Sequence, residues 1–371
     1  LVIPTWFGVS LEAGYENNQG SYLNPEYFNP DNGLVNAGIS ITLGKGLFID
    51  ERRAELKQAK IYQNSSELEQ KIILNQLILN ASITYQEWKK TYLKLNIYKE
   101  AYRNAQERFN GVKESARLGD KPSIDTVEAK IVVQNRLINY EQSLVDFKNK
   151  SLKLGVYLWQ DGFIPLELDS ITTPDSSLSI SSVALAYNDS VVNKHPEIEL
   201  YKNKIEIQEI DIRLKKEALK PVLNLKYSFI NEPVNSNPIP DFDVNNYKWG
   251  AYLSYPIFTR KERGEIKLSQ IRMKEVTINQ EYKKAQLKYK IQALRNLAFT
   301  SQTQYSISQN NVVNSTRMFD SEMTLFNIGE SSVFMVNSRE NSLIKSQLKM
   351  IDFYSNTLLF QYPFDYHLFT N

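Results

Sequence analysis

Hydrophobic positions recur with two different periods along this chain, and each period predicts a different kind of element. Residues 47 to 110 and residues 265 to 328 contain neither Gly nor Pro. From Trp88 to Phe109, apolar side chains step by threes and fours, the spacing of one face of an α-helix. A helix of this length spans about 96 Å, and its narrow apolar stripe needs other helices to cover it. The pattern therefore predicts long helices in coiled-coil packing.

A turn and a second, shorter helix-like run follow each long run. Residues 119 to 122 precede the Gly- and Pro-free residues 123 to 154, and Gly329 precedes residues 330 to 362. Each half of the chain is therefore expected to contain a helical hairpin with one long arm and one short arm. A further helix-like segment, residues 197 to 220, has the right length to extend a short arm end to end.

A period of two precedes each long helix. Apolar and polar residues alternate over residues 7 to 16 and 39 to 43, and again over residues 223 to 229 and 248 to 255. Such alternation predicts strands with one apolar and one polar face. The positions assigned to an apolar, lipid-facing side are Phe7, Val9, Leu11, Tyr15, Leu223, Leu225, Tyr227, Phe229, Trp249, Leu253 and Tyr255.

The two strand pairs supply four strands, which is too few for a closed barrel, since closure around side chains needs about eight. Copies of the chain would have to supply the others. An apolar outer face with aromatic ends and a polar inner face is typical of an outer-membrane barrel. The alternative is a pair of soluble hairpins whose apolar face packs on helices.

The chain repeats itself at a fixed offset. The pentapeptide RAELK from Arg53 returns as RGEIK from Arg263, and Gly119 returns as Gly329, both 210 positions apart. An equal offset at both ends means no net insertion between them, which indicates an internal duplication.

The composition and motifs of the chain exclude several kinds of partner and functional site. The formal charge of +2 is too small to produce the strong positive electrostatic field that would indicate a nucleic-acid partner. The absence of cysteine excludes disulfides, thiolate metal sites and thiol catalysis. His195 and His367 lack acidic neighbours at ligand spacing, so no metal site is expected. No catalytic triad pattern, GxGxxG or Walker loop occurs, and neither an enzyme nor a cofactor is predicted. The chain contains no apolar run of about 18 residues, the length that indicates a transmembrane helix.

The order of these elements closely resembles the TolC-like outer-membrane efflux protein family over essentially the whole chain. The segments that carry the resemblance are HPEIELYKNKIEIQEIDIRLKKEALKPVLNLKYSF from His195, YPIF from Tyr255 with GEIK from Gly264, LGDKPSIDTVEAK from Leu118 and IGESSVFMVNSRENSL from Ile328. The resemblance implies an α+β chain of two tandem repeats that forms a homotrimer with a twelve-stranded barrel and a helical tunnel in the periplasm. It further implies an exit duct without chemistry of its own, supplied by an inner-membrane pump through a periplasmic adaptor.

The resemblance also implies a division of the chain. The expected segments are barrel strands at 1–46, the first tunnel hairpin at 47–158, a small mixed equatorial insert at 159–194, a helix stacked toward the barrel at 195–220, barrel strands at 221–262, the second tunnel hairpin at 263–355 and a C-terminal equatorial segment at 356–371. Pro4 stands where Pro221 stands in the second repeat, so a further helix is expected before Leu1.

The hairpin turns are the expected docking site for the adaptor, because they carry exposed loop residues at the far end of the tunnel. The candidate contact residues are Leu118, Gly119, Asp120, Lys121, Ser123, Ile328, Gly329, Glu330, Ser331 and Ser332.

The resemblance implies a tunnel constriction six positions after each turn glycine, where a well-known relative has acidic residues. This chain has Asp125 at the first position and Met335 at the second. It also has Ser331 and Phe326 where that relative has bridging Arg and Tyr residues. The hypothesis is therefore that three Asp125 carboxylates near the axis repel one another, bind cations and narrow the mouth. An ordinary solvated Asp125 is the alternative.

Two functions from different classes remain at this point. One is an outer-membrane export duct, for which drug efflux, type I secretion and metal efflux are not separated by the sequence. The other is a soluble coiled-coil scaffold that uses the hairpins as rigid spacers and has no membrane barrel.

Overall fold

The structure is a computed structural model that describes residues 1–6, 8–160, 164–169, 172–180, 189–233, 243 and 245–369. Its helices are α1 (Glu51–Leu118), α2 (Ser123–Gly155), α3 (Asp189–Lys194), α4 (Pro196–Glu217), α5 (Arg260–Asn327) and α6 (Val333–Phe369). Its strands are β1 (Val2–Pro4), β2 (Val9–Glu16), β3 (Leu34–Thr42), β4 (Trp159–Gln160), β5 (Ile164–Pro165), β6 (Val222–Asn231) and β7 (Tyr247–Ser254). The chain divides into two compact units, Leu1–Glu69 with Glu197–Lys283 and Gln70–Pro196 with Lys284–Asn371.

The first unit contains an antiparallel sheet in the order β1-β2-β3-β6-β7. Its register places apolar positions opposite apolar positions, because Leu11 pairs with Ile39, Ile39 with Tyr227 and Tyr227 with Trp249. The polar face is equally continuous, and Lys226 on β6 donates to the Glu12 carboxylate on β2. A slip of one residue would exchange the two faces, so this register preserves the alternation of the sequence across four strands.

The four predicted strands are present as β2, β3, β6 and β7, and the sheet contains one further strand, β1, that the sequence did not predict. Val2–Pro4 pairs antiparallel with residues 10 to 12 of β2, and the amino group of Leu1 donates to the Ala13 carbonyl at 2.6 Å. The chain reverses between the two strands at Gly8, which has a positive φ of 77°. A strand of three exposed residues offers too few positions to show a period of two.

Helix α4 packs between the sheet-proximal parts of the two long helices in this unit. Ile207 and Ile210 of α4 share an apolar cluster with Ala54 and Ile61 of α1. On the α5 side, Lys283 forms an ion pair with Glu197 at 2.8 Å. The helix that the sequence places before the second pair of strands therefore ties α1 to α5.

The second unit is built from the remaining lengths of the long helices with α2 and α6. Trp88 of α1 stacks on Phe147 of α2 with ring centroids 5.9 Å apart, and its indole N–H donates to Ser151 Oγ at 2.8 Å. Lys89, the next residue of α1, is buried and donates to the Ser177 carbonyl at 2.6 Å and to Tyr354 Oη at 3.2 Å. The segment before α3 is thereby fixed against α1 and α6.

Helix α6 is longer than its Gly- and Pro-free run. The sequence criterion ends the helix at Tyr362, whereas α6 continues through Pro363 to Phe369. Proline removes one hydrogen bond to the preceding turn and its ring crowds the carbonyl there, and α6 carries this cost close to its end.

Candidate functional site

The two hairpin turns of the second unit have the same backbone geometry. Gly119 and Gly329 have φ values of 85° and 84°, and the following N–H groups of Asp120 and Glu330 bond back to carbonyls five residues earlier, each at 2.9 Å. This is the Schellman pattern that ends helices in a left-handed residue. A Cβ at either glycine would meet nothing within 4 Å. The positive φ, and not crowding, is therefore what selects glycine.

Each turn presents a matched pair of apolar side chains to solvent. Leu118 and Ile328 directly precede the turn glycines and are 62% and 64% exposed, and Ile124 and Phe334 follow five residues after them at 67% and 65%. All four obey the 210-residue offset. The sequence prediction named Leu118 and Ile328 but missed Ile124 and Phe334, although the same alignment of repeats would have found them.

The other predicted contact residues lie on the same two turns. Most are exposed, namely Gly119, Asp120, Ser123, Gly329, Glu330 and Ser332. Lys121 and Ser331 are half-buried because each has a partner in the chain. The Lys121 ammonium lies 4.1 Å from the centroid of the Phe326 ring, and Ser331 Oγ donates to the Glu322 carboxylate. The Lys121 contact joins the first turn to the second hairpin.

Behind the turns, the two hairpins have diverged in chemistry. In the second hairpin, Glu322 of α5 accepts from Ser331 and from Arg339 Nε of α6 at 3.4 Å. The positions 210 residues earlier than Glu322 and Arg339 are Val112 and Ala129, and both are buried and apolar. The second hairpin thus carries a polar network at the positions where the first hairpin has buried apolar side chains.

The apolar packing at the tips includes both hairpins. Its members are Val112, Ala129 and Val333, flanked by Phe109 and Phe326. An open groove beside this cluster runs between α1 and α5 and is lined by Val112, Met323 and Phe326 together with Glu107, Asp120 and Lys121. The groove therefore offers apolar side chains with charges of both signs.

The two constriction candidates occupy equivalent places in the first turns of α2 and α6. The backbone N–H of Asp125 donates to the Pro122 carbonyl at 3.1 Å, and that of Met335 donates to Ser332 Oγ at 3.2 Å. Ser332 thus caps α6, whereas Pro122 offers α2 no side-chain cap. Both candidate side chains are half-buried.

A buried charge cluster that the sequence did not reveal ties α6 to both helices of the first hairpin. Glu340 Oε2 accepts from Arg108 of α1 at 2.7 Å and from Arg136 of α2 at 3.1 Å. Arg136 also donates to Asn341 Oδ1 at 2.8 Å. The three charged side chains are 4% to 8% exposed. We refer to Arg108, Arg136 and Glu340 as the buried triad.

A second charged contact between α1 and α6 lies farther from the turns. Asp352 accepts from Lys90 and Lys94 at 2.8 and 2.7 Å. Partial burial would raise the pKa of this carboxyl, but the two ammonium groups outweigh that effect and hold the pKa of Asp352 below its ordinary value.

The predicted lipid-facing positions belong to the first unit. Phe7 lies outside the described residues. The most exposed of the others are Leu11, Tyr15, Trp249, Leu253 and Tyr255, whereas Val9, Leu223 and Phe229 are half-buried and Leu225 and Tyr227 are close to the boundary between these classes. Tyr255 lies one residue beyond the end of β7.

Two kinds of feature are absent from the described residues. No helix there has an apolar stretch long enough to cross a membrane. No group of three or more His, Cys, Asp or Glu side chains within the same ranges is arranged to hold a metal ion.

Comparisons with known proteins identify the fold. No protein-family model matches the chain, and no curated protein sequence matches it. The CmeC outer membrane channel of Campylobacter jejuni is similar in structure, with a TM-score of 0.73 and 14% identity over 98% of this chain and 77% of that one. The outer membrane protein VceC of Vibrio cholerae has a TM-score of 0.73 and 14% identity over 97% and 86%. The open state of the MtrE outer membrane channel of Neisseria gonorrhoeae has a TM-score of 0.71 and 13% identity over 96% and 80%. The chain therefore has the TolC-like fold of these channels.

Proposed function

We propose that this chain, which has the fold of TolC-like outer-membrane channels, is one subunit of a homotrimeric channel in the outer membrane of a Gram-negative bacterium. The channel extends into the periplasm and serves as the passive exit duct of a tripartite efflux or type I secretion system. The proposal assigns the chain no catalytic step.

The apolar face of the sheet is the observation that carries this proposal. Leu11, Ile39, Tyr227 and Trp249 form one row across four strands, and each is at least 36% exposed. Contiguous exposed apolar surface is uncommon on soluble proteins and marks a membrane or protein contact. The opposite face carries the ion pair of Glu12 with Lys226, as expected for a lumen that contains water.

A stripe on α2 supports self-association. Ile131, Ile138, Val145 and Leu152 follow one another at intervals of seven residues, and each is at least 49% exposed. Seven-residue spacing is the repeat of coiled-coil packing. In the proposed trimer a neighbouring subunit covers this stripe, and strands β2, β3, β6 and β7 of three chains close one barrel of twelve strands.

The hairpin turns support coupling to a periplasmic adaptor and, through it, to an inner-membrane pump. Leu118 and Ile328 present apolar side chains at the turns, and the nearby groove adds Lys121 and Asp120 as charged contacts. The proposed contact set remains that of the sequence analysis, extended by Ile124 and Phe334. Asp125 and Met335 remain the proposed constriction.

The membrane assignment is tested by two arginine substitutions on adjacent residues of β7. Ala251 pairs with Leu225 and Gly250 with Lys226, so Ala251→Arg places a charge on the apolar face and Gly250→Arg places one on the polar face. A Cβ at Gly250 meets nothing within 4 Å, which makes it a fair control. An arginine on the lipid face near mid-membrane costs about 2–4 kcal/mol.

We expect Ala251→Arg to reduce heat-modifiable protein in the outer-membrane fraction several-fold, and Gly250→Arg to leave it near the wild-type amount. Equal amounts for the two variants would contradict the assignment of the faces. A wild-type chain that stays soluble without detergent would instead support the coiled-coil scaffold.

A further inference from the structure

The two edges of the sheet in the first unit differ in how far they are covered. Within the described residues β7 pairs only with β6, and all eight residues of β7 are exposed. At the opposite edge, β1 pairs with residues 10 to 12 of β2. An uncovered strand edge presents N–H and C=O groups that can pair with another chain. The β7 edge is therefore open to a further strand, whereas the β2 edge is covered in part.

Strand β1 is too short to be a strand of a membrane barrel. A transmembrane strand needs about 9–11 residues, and β1 has three, compared with eight to ten in β2, β3, β6 and β7. Leu1 and Ala13 exchange both backbone hydrogen bonds, so the alternation of an antiparallel ladder turns the backbone groups of Val2 and Pro4 away from β2. Proline has no N–H to offer there, so β1 is a poor template for a further strand.

The direction of the strands leads to the same conclusion. Every neighbouring pair in the order β1-β2-β3-β6-β7 is antiparallel, so β1 and β7 run in the same direction. If β1 stayed in place, β7 of a neighbouring subunit would meet it as a parallel strand, and the trimer would have an odd number of strands. A closed sheet is antiparallel throughout only with an even number, as bacterial outer-membrane barrels have. Without β1, β7 meets β2 as an antiparallel neighbour.

Strand β1 is held mainly by its backbone. Its three side chains are all exposed, and just beyond the strand the Thr5 N–H donates to the Val9 carbonyl at 2.8 Å. A backbone hydrogen bond contributes only about 0.5–1.5 kcal/mol net. A neighbouring β7 would supply bonds of the same kind to β2 over more residues. Exchange of β1 for β7 therefore loses little packing and adds paired length.

We propose that β1 is a removable cover of the subunit interface: it occupies the β2 edge in the separate chain and gives way to β7 of a second copy when the barrel closes. The inference rests on the proposed trimeric channel and adds an order of events to it, since the whole β2 edge becomes available only when β1 leaves. Until then, the cover limits wrong pairing at this edge.

Engineered disulfides test this inference directly, because the chain has no cysteine. Val2 lies opposite Glu12, next to the hydrogen-bonded pair at Leu1, so the two residues exchange no backbone bonds. Such pairs have Cα atoms about 4.5 Å apart, within the range of a disulfide. Val2→Cys with Glu12→Cys, the β1–β2 lock, therefore fixes β1 on β2 when it is oxidised. Ala13→Cys with Ala37→Cys, the β2–β3 control, joins a pair of the same kind that persists in the barrel.

Each protein is refolded into vesicles of phosphatidylethanolamine and phosphatidylglycerol, once oxidised and once reduced, and the trimer is quantified by electrophoresis without heating. We expect the oxidised β1–β2 lock to give at least several-fold less trimer than its reduced form, and the β2–β3 control to give equal amounts in both states. Equal amounts for the lock would overturn the inference. Pro4→Cys with Ser10→Cys, the next pair of this kind, is a second lock that retains Glu12 and its ion pair with Lys226.

A second measurement starts from trimers assembled in the reduced state and then treated with copper phenanthroline. We expect the β2–β3 control to form its disulfide and both β1–β2 locks to remain unlinked, because β1 has left β2. Efficient disulfide formation by the locks within trimers would show that β1 stays on β2 and would overturn the inference. If the wild type and the control formed no trimer in either state, the proposed function itself would fail, and this inference with it.

Discussion

At the scale of single residues, the buried triad is the feature most sensitive to substitution. Glu340 compensates two arginines, Arg108 and Arg136, in a place where none of the three side chains is more than 8% exposed. Burying a charge is costly unless it is paired. Removal of the shared carboxylate would leave two buried guanidinium groups without a compensating negative charge.

We expect Glu340→Gln to lower the stability of the second unit by about 3–5 kcal/mol, the usual cost of breaking a buried ion pair by removing one partner. The side chain keeps its size, so the loss reports on charge and not on a cavity. The measurement is the midpoint of denaturant unfolding of the detergent-solubilised protein. Glu330→Gln, at an exposed turn position, is the control and should unfold with the wild type. If Glu340→Gln unfolded at the same denaturant concentration as Glu330→Gln and the wild type, the charge of the buried triad would contribute nothing to stability.

The constriction hypothesis gives a second prediction at this scale. If three Asp125 carboxylates lie near the channel axis, Asp125→Ala should raise single-channel conductance and weaken cation preference, because a ring of negative charge is removed. Asp120→Ala removes the same charge from the exposed turn and is the matched control. Unchanged current and selectivity in the Asp125 variant would end the hypothesis.

At the scale of elements, the ends of the helices follow from local chemistry. Both long helices end at a glycine with a positive φ, in the same hydrogen-bond pattern. The sequence predicted both turns because a glycine interrupts an otherwise Gly-free run. It did not predict β1, whose three residues have no period to read, or the continuation of α6 through Pro363.

Substitution of two glycines near the end of α1 distinguishes the effect of a left-handed backbone from that of helix propensity. Gly111 lies inside the helix and Gly119 just after it, and a Cβ at either meets nothing within 4 Å. Gly111→Ala should therefore stabilise the protein by about 0.5–1 kcal/mol, because alanine favours the helix. Gly119→Ala should destabilise it by about 1–2 kcal/mol, because an L side chain resists a left-handed conformation. Unfolding midpoints that shift in the same direction for both variants would contradict this account.

At the scale of the whole molecule, the exposed stripe on α2 predicts how copies of the chain associate. Ile138 lies in the middle of the stripe and is 65% exposed, while its neighbour Asn139 is exposed on another side of the helix. Ile138→Glu places a charge where a neighbouring subunit is expected and should reduce the population of trimers at least several-fold in native mass spectrometry. Asn139→Glu should leave the trimer intact. A full trimer population with Ile138→Glu would place the subunit contact elsewhere.

Comparison of the two repeats shows how much of the candidate site local pattern could predict. Leu118 and Ile328 were predicted at the turns because they adjoin the turn glycines. Ile124 and Phe334 carry the same signal, five residues later. The Glu322 and Arg339 contact also has a signal, since the equivalent residues, Val112 and Ala129, are apolar. A change from apolar to charged at matched positions of a duplication indicates that the two copies are held differently.

The sequence by itself determined the long helices, the alternating strands and the turn glycines. Each of these is encoded by the spacing of side chains along the chain, because 3.6-residue and two-residue periods define the faces of helices and strands. The tertiary structure alone decided which charges are buried and which edge β1 covers. Arg108 and Glu340 are 232 residues apart in sequence, and no local period relates them. They meet only because the two hairpins pack against each other, and burial then makes their contact strong.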